Sequence, residues 1–424
     1  MTAPVIGFVG MTHLGLVSAT GTCSKGFAVL GVDADTALIA RISAGDLPVL
    51  EPGLPEMIAD NGDRQAFSAD FADLARCDVV YIAADVPTDD EGASDLSGIL
   101  ALIDRVIPCL GVDAVLVVLC QVPPGFSRGV ALSPDRLFYQ VETLIFGRAV
   151  ERATEPERFI VGCADPGLPL PPAYRDVLDA FGCPILTMRY ESAELAKIAI
   201  NVCLVASVSV ANTLAELSEN IGADWHEIAP ALKLDRRVGP YAYLAPGLGI
   251  AGGNLERDLA TVIRLAGEWG SDPGVIEAFV RNSRRRRDWA LRVLERHVFP
   301  RNPDPLIALL GLAYKQDTHS TKNSPGLALA RALAGRRLRV HDPAVHEADG
   351  LRAEETALAA IEGADVLVVM TPWDEYKALD PAAVKARLAG NWVIDPYGVF
   401  DAHMMADLGV NYATLGRPIM LAAT

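Results

Sequence analysis

Lys197 and Asn201 stand four residues apart in the apolar stretch LAKIAINVCLVASVSVANTLAEL (195–217), a spacing that puts both on one face of a helix. A lysine in such surroundings must find a partner or a hydrogen-bonded water, or lose its charge. Ionised, it could stabilise a developing alkoxide or oxyanion, with Asn201 positioning a water. The bland alternative is a structural polar pair inside a helical core. Asn254 and Asp258 repeat the four-residue spacing after the Gly252–Gly253 turn of GLGIAGGNLERDL (247–259). Asp258 is a candidate base for an alcohol proton, or else a helix-start carboxylate facing the local dipole. Asn254 is a different matter. Its amide nitrogen has a delocalised lone pair, so it donates and accepts hydrogen bonds but is no nucleophile.

A second constellation suits a dinucleotide. VIGFVGMTHLGLVSA (5–19) reads as a strand ending and a helix beginning, with Gly10, Thr12 and Gly15 at the three glycine positions of G-x-G-x-x-G. Asp33 follows in VLGVDAD, where a carboxylate accepts hydrogen bonds from an adenosine ribose and repels a 2′-phosphate, favouring NAD over NADP. Gly10, Thr12, His13, Leu14, Gly15 and Asp33 are therefore cofactor candidates. Thr12 replaces the middle glycine, and its hydroxyl could meet a phosphate or its bulk could weaken binding. An ordinary β–turn–helix with glycines for tight packing is the alternative.

These residues need rigid elements to hold them. VIGFVG (5–10), AVLGVD (28–33), CDVVYIAA (77–84), AVLVVLC (114–120) and RFIVGC (158–163) are short apolar runs of the kind that form parallel strands buried on both faces. Helical stretches lie between them, as in SDLSGILALIDRVI after a Ser94 cap. A helical region follows, with the long apolar helix and DPGVIEAFVRNSRRRRDWALRVLERHV. Its Arg284–Arg287 run could be a nucleic-acid patch, but on an amphipathic helix it reads better as a solvated or subunit-facing surface. RNPDP (301–305) reads as a linker, after which β/α alternation resumes in LIALLGLAY, SPGLALARALA, RLRVHDP, ADVLVVMTP and WVIDPYG. The pattern predicts an α/β protein: two doubly wound Rossmann-like domains, 1–189 and 304–424, joined by a long central helix and a helical middle domain, 190–297.

With 424 residues, 51% hydrophobic and 21% charged, the chain is globular in composition. A net charge of −17 argues against a general nucleic-acid binder. The N-terminus enters a strand pattern without a basic n-region, so no signal peptide is expected. Seven scattered cysteines without metal-ligand spacing suggest reduced thiols, no metal site and a cytoplasmic location. The stretch 195–217 could be taken for a membrane span, but Lys197 and Asn201 would be costly in lipid, so a buried central helix and no membrane are expected.

Ordered motifs over nearly the whole chain resemble the UDP-glucose/GDP-mannose dehydrogenase family. GDLPVLEPGLPEM resembles its G-x-x-P-x-x-E-P-G-L segment, DVPTDDEGASDLSGI its V-P-T-P…G-x-x-D-L-S loop and PERFIVG its P-E-R-I-V-I-G. SAELAKIAINVCLV matches S-A-E-L-x-K-x-x-x-N, LDRRVGPYAYLAPGLGIAGG follows D-x-R-I-G…F-L-x-P-G-x-G-x-G-G, and GLAYKQDTHSTKNSP resembles G-L-A-F-K-x-x-T-D-D-x-R-x-S-P. The resemblance implies NAD in the first domain, a nucleotide sugar (by default a UDP-sugar) as substrate, and a homodimer paired through the central helix. It implies oxidation of a primary alcohol to a carboxylate in two hydride transfers, through a cysteine thiohemiacetal and thioester.

Carried over residue by residue, Lys197, Asn201, Asp258 and Glu142 match the family's catalytic and substrate-touching groups. Arg237, Tyr243, Gly249, Gly252, Gly253 and Lys315 match positions that grip the nucleotide sugar, the arginine commonly reaching across from the partner subunit. Thr88, Gln121 and Lys322 fall at cofactor positions. Four departures stand out: Asn254 where the family carries its cysteine, Phe146 for the second carboxylate in QVETLIFG, Gln121 for a water-binding threonine in CQVPPGF, and Lys322 for an arginine. Cys120 could serve as a substitute nucleophile or simply pack a strand end. Groups suited to the first oxidation remain and those for thioester chemistry are altered. The expectation is a two-electron oxidation; the alternatives are a conventional four-electron 6-dehydrogenase, by another nucleophile or the aldehyde hydrate, and a non-catalytic NAD/nucleotide-sugar-binding protein.

Overall fold

The computed structural model describes residues 3–89 and 94–422, so Asp90–Ala93 of the V-P-T…D-L-S loop lie outside the described residues. The chain divides into two compact units, Met1–Ile200 and Asn201–Thr424.

In the first unit, the described residues form one eight-stranded sheet: β1 (Val5–Val9), β2 (Ala28–Val32), β3 (Gln65–Ser68), β4 (Val79–Ile82), β5 (Val115–Val118), β6 (Leu137–Gln140), β7 (Phe159–Cys163) and β8 (Ile185–Arg189). Their spatial order is β3-β2-β1-β4-β5-β6-β7-β8. Neighbours pair in parallel except β6 and β7, which are antiparallel. β4 and β5 are buried at every residue, because helices and loops cover both faces and leave two apolar cores. The order reverses direction at β1 and β4, and ligands of such sheets gather beyond the carboxyl ends of the strands there. Ser94 is not a helix cap. It bridges Thr88, and the helix Ser97–Val106 is preceded by Asp95, whose carboxylate accepts the Ser97 N–H and hydroxyl.

The second unit holds a five-stranded parallel sheet among its described residues, ordered β10-β9-β13-β14-β15: β9 (Ile307–Leu310), β10 (Leu338–His341), β13 (Val366–Val369), β14 (Trp392–Ile394) and β15 (Asn411–Ala413). A small hairpin, β11 (Glu347–Ala348) with β12 (Leu351–Arg352), lies outside it. Helices Asn254–Trp269 and Gly274–Arg287 precede this sheet in the chain.

The long helix Tyr190–Ile221 begins in the first unit and ends in the second. It is long and apolar enough to cross a membrane, and only 33% of its most apolar stretch is buried, so the chain alone does not enclose it as the pattern predicted. Leu195, Val210, Leu214, Leu217 and Ile221 are exposed. Its polar side chains instead meet protein: Glu194 accepts the Gly125 and Ser127 amides, Asn212 the Gly247 amide, and Glu216 and Glu219 pair with arginines.

Those arginines correct a second expectation. Arg284 and Arg285 are exposed, but Arg286 is fully buried. It lies 3.1 Å from Glu219 and 3.5 Å from Glu216, while Glu219 also takes the Trp289 Nε1–H and the Gly416 N–H. A guanidinium taken wholly out of water needs such partners, so this part of the run is an internal tie and not a surface patch.

Candidate active site

The cofactor turn is built by two glycines that no other residue could replace. Gly10 has φ 96°, and a Cβ there would stand 2.7 Å from that of Ala84; a Cβ on Gly15 would lie 1.8 Å from the Gly10 carbonyl oxygen. The helix His13–Ser24 is therefore drawn tightly onto the end of β1. Thr12 stands at its N-cap without capping it, its hydroxyl turned inward to the Ala83 carbonyl at 3.4 Å. The uncapped first-turn amides make this helix N-terminus suited to an anion. Asp33, partly exposed after β2, accepts the Met11 N–H at 2.8 Å on Oδ2 and the Asp35 N–H at 3.0 Å on Oδ1, which leaves acceptor capacity on both oxygens. A tight turn, an open helix N-terminus and an available acid together fit NAD.

His13 faces inward. Its Nε2 lies 2.8 Å from Glu51 Oε1, and the Glu51 side chain has no accessible surface. Glu51 also accepts the amides of Gly147 and Ala149, and the Phe146 ring stacks on the His13 imidazole with centroids 4.1 Å apart. The role of Glu51 was missed in the sequence, where only its place in the E-P-G-L segment marked it.

Lys197 has the partner its surroundings demand. Its Nζ lies 2.7 Å from Glu142 Oε1 and donates to the Glu142 carbonyl oxygen at 3.2 Å, with both side chains largely buried. Glu142 Oε2 takes the Leu144 N–H, so the carboxylate is oriented from two sides. Glu194, buried one turn before Lys197, holds the loop after Gln121 through the Gly125 and Ser127 amides at 2.6 and 2.8 Å, and burial raises its carboxyl above the usual range. Cys120 is fully buried, its Sγ 3.2 Å from the Ile82 carbonyl oxygen, and burial pushes its thiol up to about 12. That is a packing thiol.

In the second unit, Asn201 Nδ2 donates to Asp258 Oδ2 at 2.5 Å, and Arg257 Nε lies 3.5 Å from Asp258 Oδ1. Asp258 is buried; Asn254, at the first position of the helix Asn254–Trp269, is exposed. Gly249 and Gly252 are required by the chain itself, and Gly253 lies close against Lys322. Gly249 has φ 81° and a Cβ would meet the Ser283 carbonyl oxygen at 2.4 Å; at Gly252 it would meet the Tyr314 ring at 3.1 Å; at Gly253 the Lys322 methylenes at 3.3 Å. Lys322 accepts the Gly252 N–H on its carbonyl oxygen, and Asn323 donates to the Gly252 carbonyl oxygen and to Glu256. Lys315 Nζ stands 5.8 Å from the Tyr314 ring. Arg237 is exposed and pairs with its near neighbour Asp235 at 2.7 Å, and Tyr243 is half-exposed nearby in sequence. The first unit thus carries the cofactor turn, Thr88, Gln121, Glu142 and Lys197. The second carries Asn201, Arg237, Tyr243, Gly249, Gly252, Gly253, Asn254, Asp258, Lys315 and Lys322.

Comparison with known proteins agrees with this geometry. The UDP-glucose/GDP-mannose dehydrogenase family matches as its NAD binding domain over residues 5–168, its central domain over 191–284 and its UDP binding domain over 308–402. The chain is 30% identical to a UDP-glucose 6-dehydrogenase of Pseudomonas aeruginosa over 97% of each chain, and 28% identical to one of Bacillus subtilis over 97% of this chain and 93% of that one. The structure of a UDP-glucose dehydrogenase from Pyrobaculum islandicum matches with a TM-score of 0.80 at 27% identity, covering 93% of this chain and 94% of that one. A UDP-D-ManNAc dehydrogenase from Pyrococcus horikoshii shares the fold, with a TM-score of 0.84 at 22% identity over 97% of this chain and 99% of that one. The chain, with the dinucleotide turn and doubly wound sheet that these relatives lead one to expect, belongs to the UDP-glucose/GDP-mannose dehydrogenase family.

Proposed function

We propose that this NAD-dependent oxidoreductase acts on a UDP-sugar and performs one two-electron oxidation, or its reverse, in place of the two oxidations that yield an acid. NAD, when bound at the Gly10–Gly15 turn and Asp33, supplies the hydride acceptor. The chain's own residues handle the proton and the charge. Asp258, buried and oriented by Asn201, takes up the hydroxyl proton of the sugar, directly or through a water. Lys197, fixed by Glu142, is the cation that offsets negative charge developing on the substrate in this reading. Lys315, Arg237, Tyr243 and the Gly249–Gly253 turn hold the nucleotide sugar in this reading.

The observation that carries the proposal is residue 254. An amide stands at the head of the Asn254–Trp269 helix, where covalent capture of the carbonyl product would need a thiolate. Cys120 is a poor substitute, with its thiol buried and its pKa raised. The test is a panel of UDP-, GDP- and TDP-sugars incubated with NAD, with NADH counted per sugar consumed and products weighed. One NADH and a product lighter by two hydrogens is the expected result. Two NADH and a uronic acid at an ordinary rate would overturn it, and binding without turnover would leave a nucleotide-sugar-binding protein.

We also infer that two copies pair through the long helix. Support comes from its exposed apolar residues, which recur at three- and four-residue spacing from Val210 to Ile221. Such pairing would bury a helix that the single chain leaves half-covered.

A further inference from the structure

Glu51 is a wholly buried carboxylate with donors from two different parts of the first unit. Oε1 receives His13 Nε2 at 2.8 Å and the Gly147 amide at 2.9 Å; Oε2 receives the Gly147 amide at 3.1 Å and the Ala149 amide at 3.2 Å. Backbone N–H groups thus reach both oxygens from the 147–149 side, while the His13 ring meets Oε1 from the other. His13 is the first residue of the cofactor helix. Gly147 and Ala149 close the segment that opens with Glu142, the partner of Lys197. Between these ends, the half-exposed Phe146 ring lies on the His13 imidazole, tilted by 25°. The 142–149 segment is thus pinned by Lys197 at its start and by the cofactor turn at its end.

We propose that Glu51 and His13 are positioning residues through which an occupied cofactor turn sets the segment that presents Glu142 to Lys197. An anion seated on the first-turn amides restrains His13, and His13 passes that restraint to Gly147, Ala149 and Phe146 through one carboxylate and one ring contact. The coupling is reciprocal, so a segment held in place strengthens cofactor binding by the same factor. The inference rests on the reading that Lys197 and Glu142 serve the reaction, but its first test does not depend on turnover.

The experiment is amide hydrogen exchange over residues 142–149 of the full chain, with and without NADH. In the native protein, NADH slows exchange there roughly tenfold, within the usual range for coupled sites. In Glu51→Gln the slowing disappears while NADH still binds. Phe146→Ala, at a half-exposed site that cannot threaten folding, diminishes it. No change on adding NADH to the native chain, or protection that persists in both variants, would overturn the proposal. A second readout uses kcat at saturating substrates: Glu51→Gln lowers it, and the loss vanishes in a Glu142→Gln background. Additive losses would mark Glu51 as merely structural. A protein that turns over no nucleotide sugar yet shows NADH-dependent protection would refute the proposed reaction and support the coupling.

Discussion

In the proposed reaction, the residue to test is Asn254, an exposed amide at the head of a helix. A thiol in the place of Asn254 would sit beside uncompensated helix N–H groups, a setting that favours the thiolate. Asn254→Cys should therefore be alkylated by iodoacetamide at neutral pH at residue 254, as located by peptide mass. Cys120, with its thiol pushed up to about 12, should stay unlabelled in the folded protein, since its thiolate fraction near pH 7 is on the order of one in 10⁵. Cys120→Ala should leave NADH output within about twofold, because a packing methyl replaces a packing thiol. If the missing trap alone sets the depth of oxidation, Asn254→Cys raises the yield from one NADH per sugar toward two. A labelled variant still yielding one would shift the cause to Gln121 or Phe146.

At the scale of elements, the long helix has two demands on it. One side carries Glu194, Lys197, Asn201, Asn212, Glu216 and Glu219 to protein partners. Another leaves Val210, Leu214, Leu217 and Ile221 in water. If the native chain pairs through this face, Leu214→Glu with Leu217→Arg should yield a monomer by light scattering, with the fold retained because both side chains are already exposed. A native monomer would refute the pairing. The helix itself was legible from its apolar run, and the need for a Lys197 partner from elementary solvation. Which partner was not, because Glu142 is brought in by the fold from 55 residues away. The same limit hid Glu51 beneath His13 and Glu219 beneath Arg286. β3, β6 and β8 were absent from the apolar-run reading for a simpler reason: QAFS is a half-exposed edge, LFYQ lacks β-branched residues, and ILTMR has no fully buried residue at the other edge. The cofactor turn was the most legible part, since its glycines are fixed by contacts within a few residues of themselves and one neighbouring strand.

Across the whole molecule, the same turn is made twice. In the second unit Gly311 has φ 106°, and a Cβ on Gly326 would stand 2.2 Å from its carbonyl oxygen, as one on Gly15 would from Gly10. Asp342 follows β10 as Asp33 follows β2, and it accepts the Leu312 N–H as Asp33 accepts that of Met11. Yet only one of these turns has capacity to spare. Asp342 is buried and receives five donors: the Leu312, Ala313, Ala344 and Val345 amides and Trp373 Nε1. A carboxylate has about four lone-pair sites, so a ribose hydroxyl finds no acceptor there. Asp33 is partly exposed and receives two. One acid is an anchor for loops, and the other keeps acceptor capacity of the kind a ribose hydroxyl needs. Asp33→Asn should therefore weaken NADH binding about tenfold, the worth of one charge-assisted hydrogen bond, with little change in the urea midpoint. Asp342→Asn should cost ~2–4 kcal/mol of stability by setting an amide against buried donors, while NADH affinity stays within about twofold. Equal losses of NADH affinity in the two variants would mean that the paired turns do not divide the work as their hydrogen bonds imply.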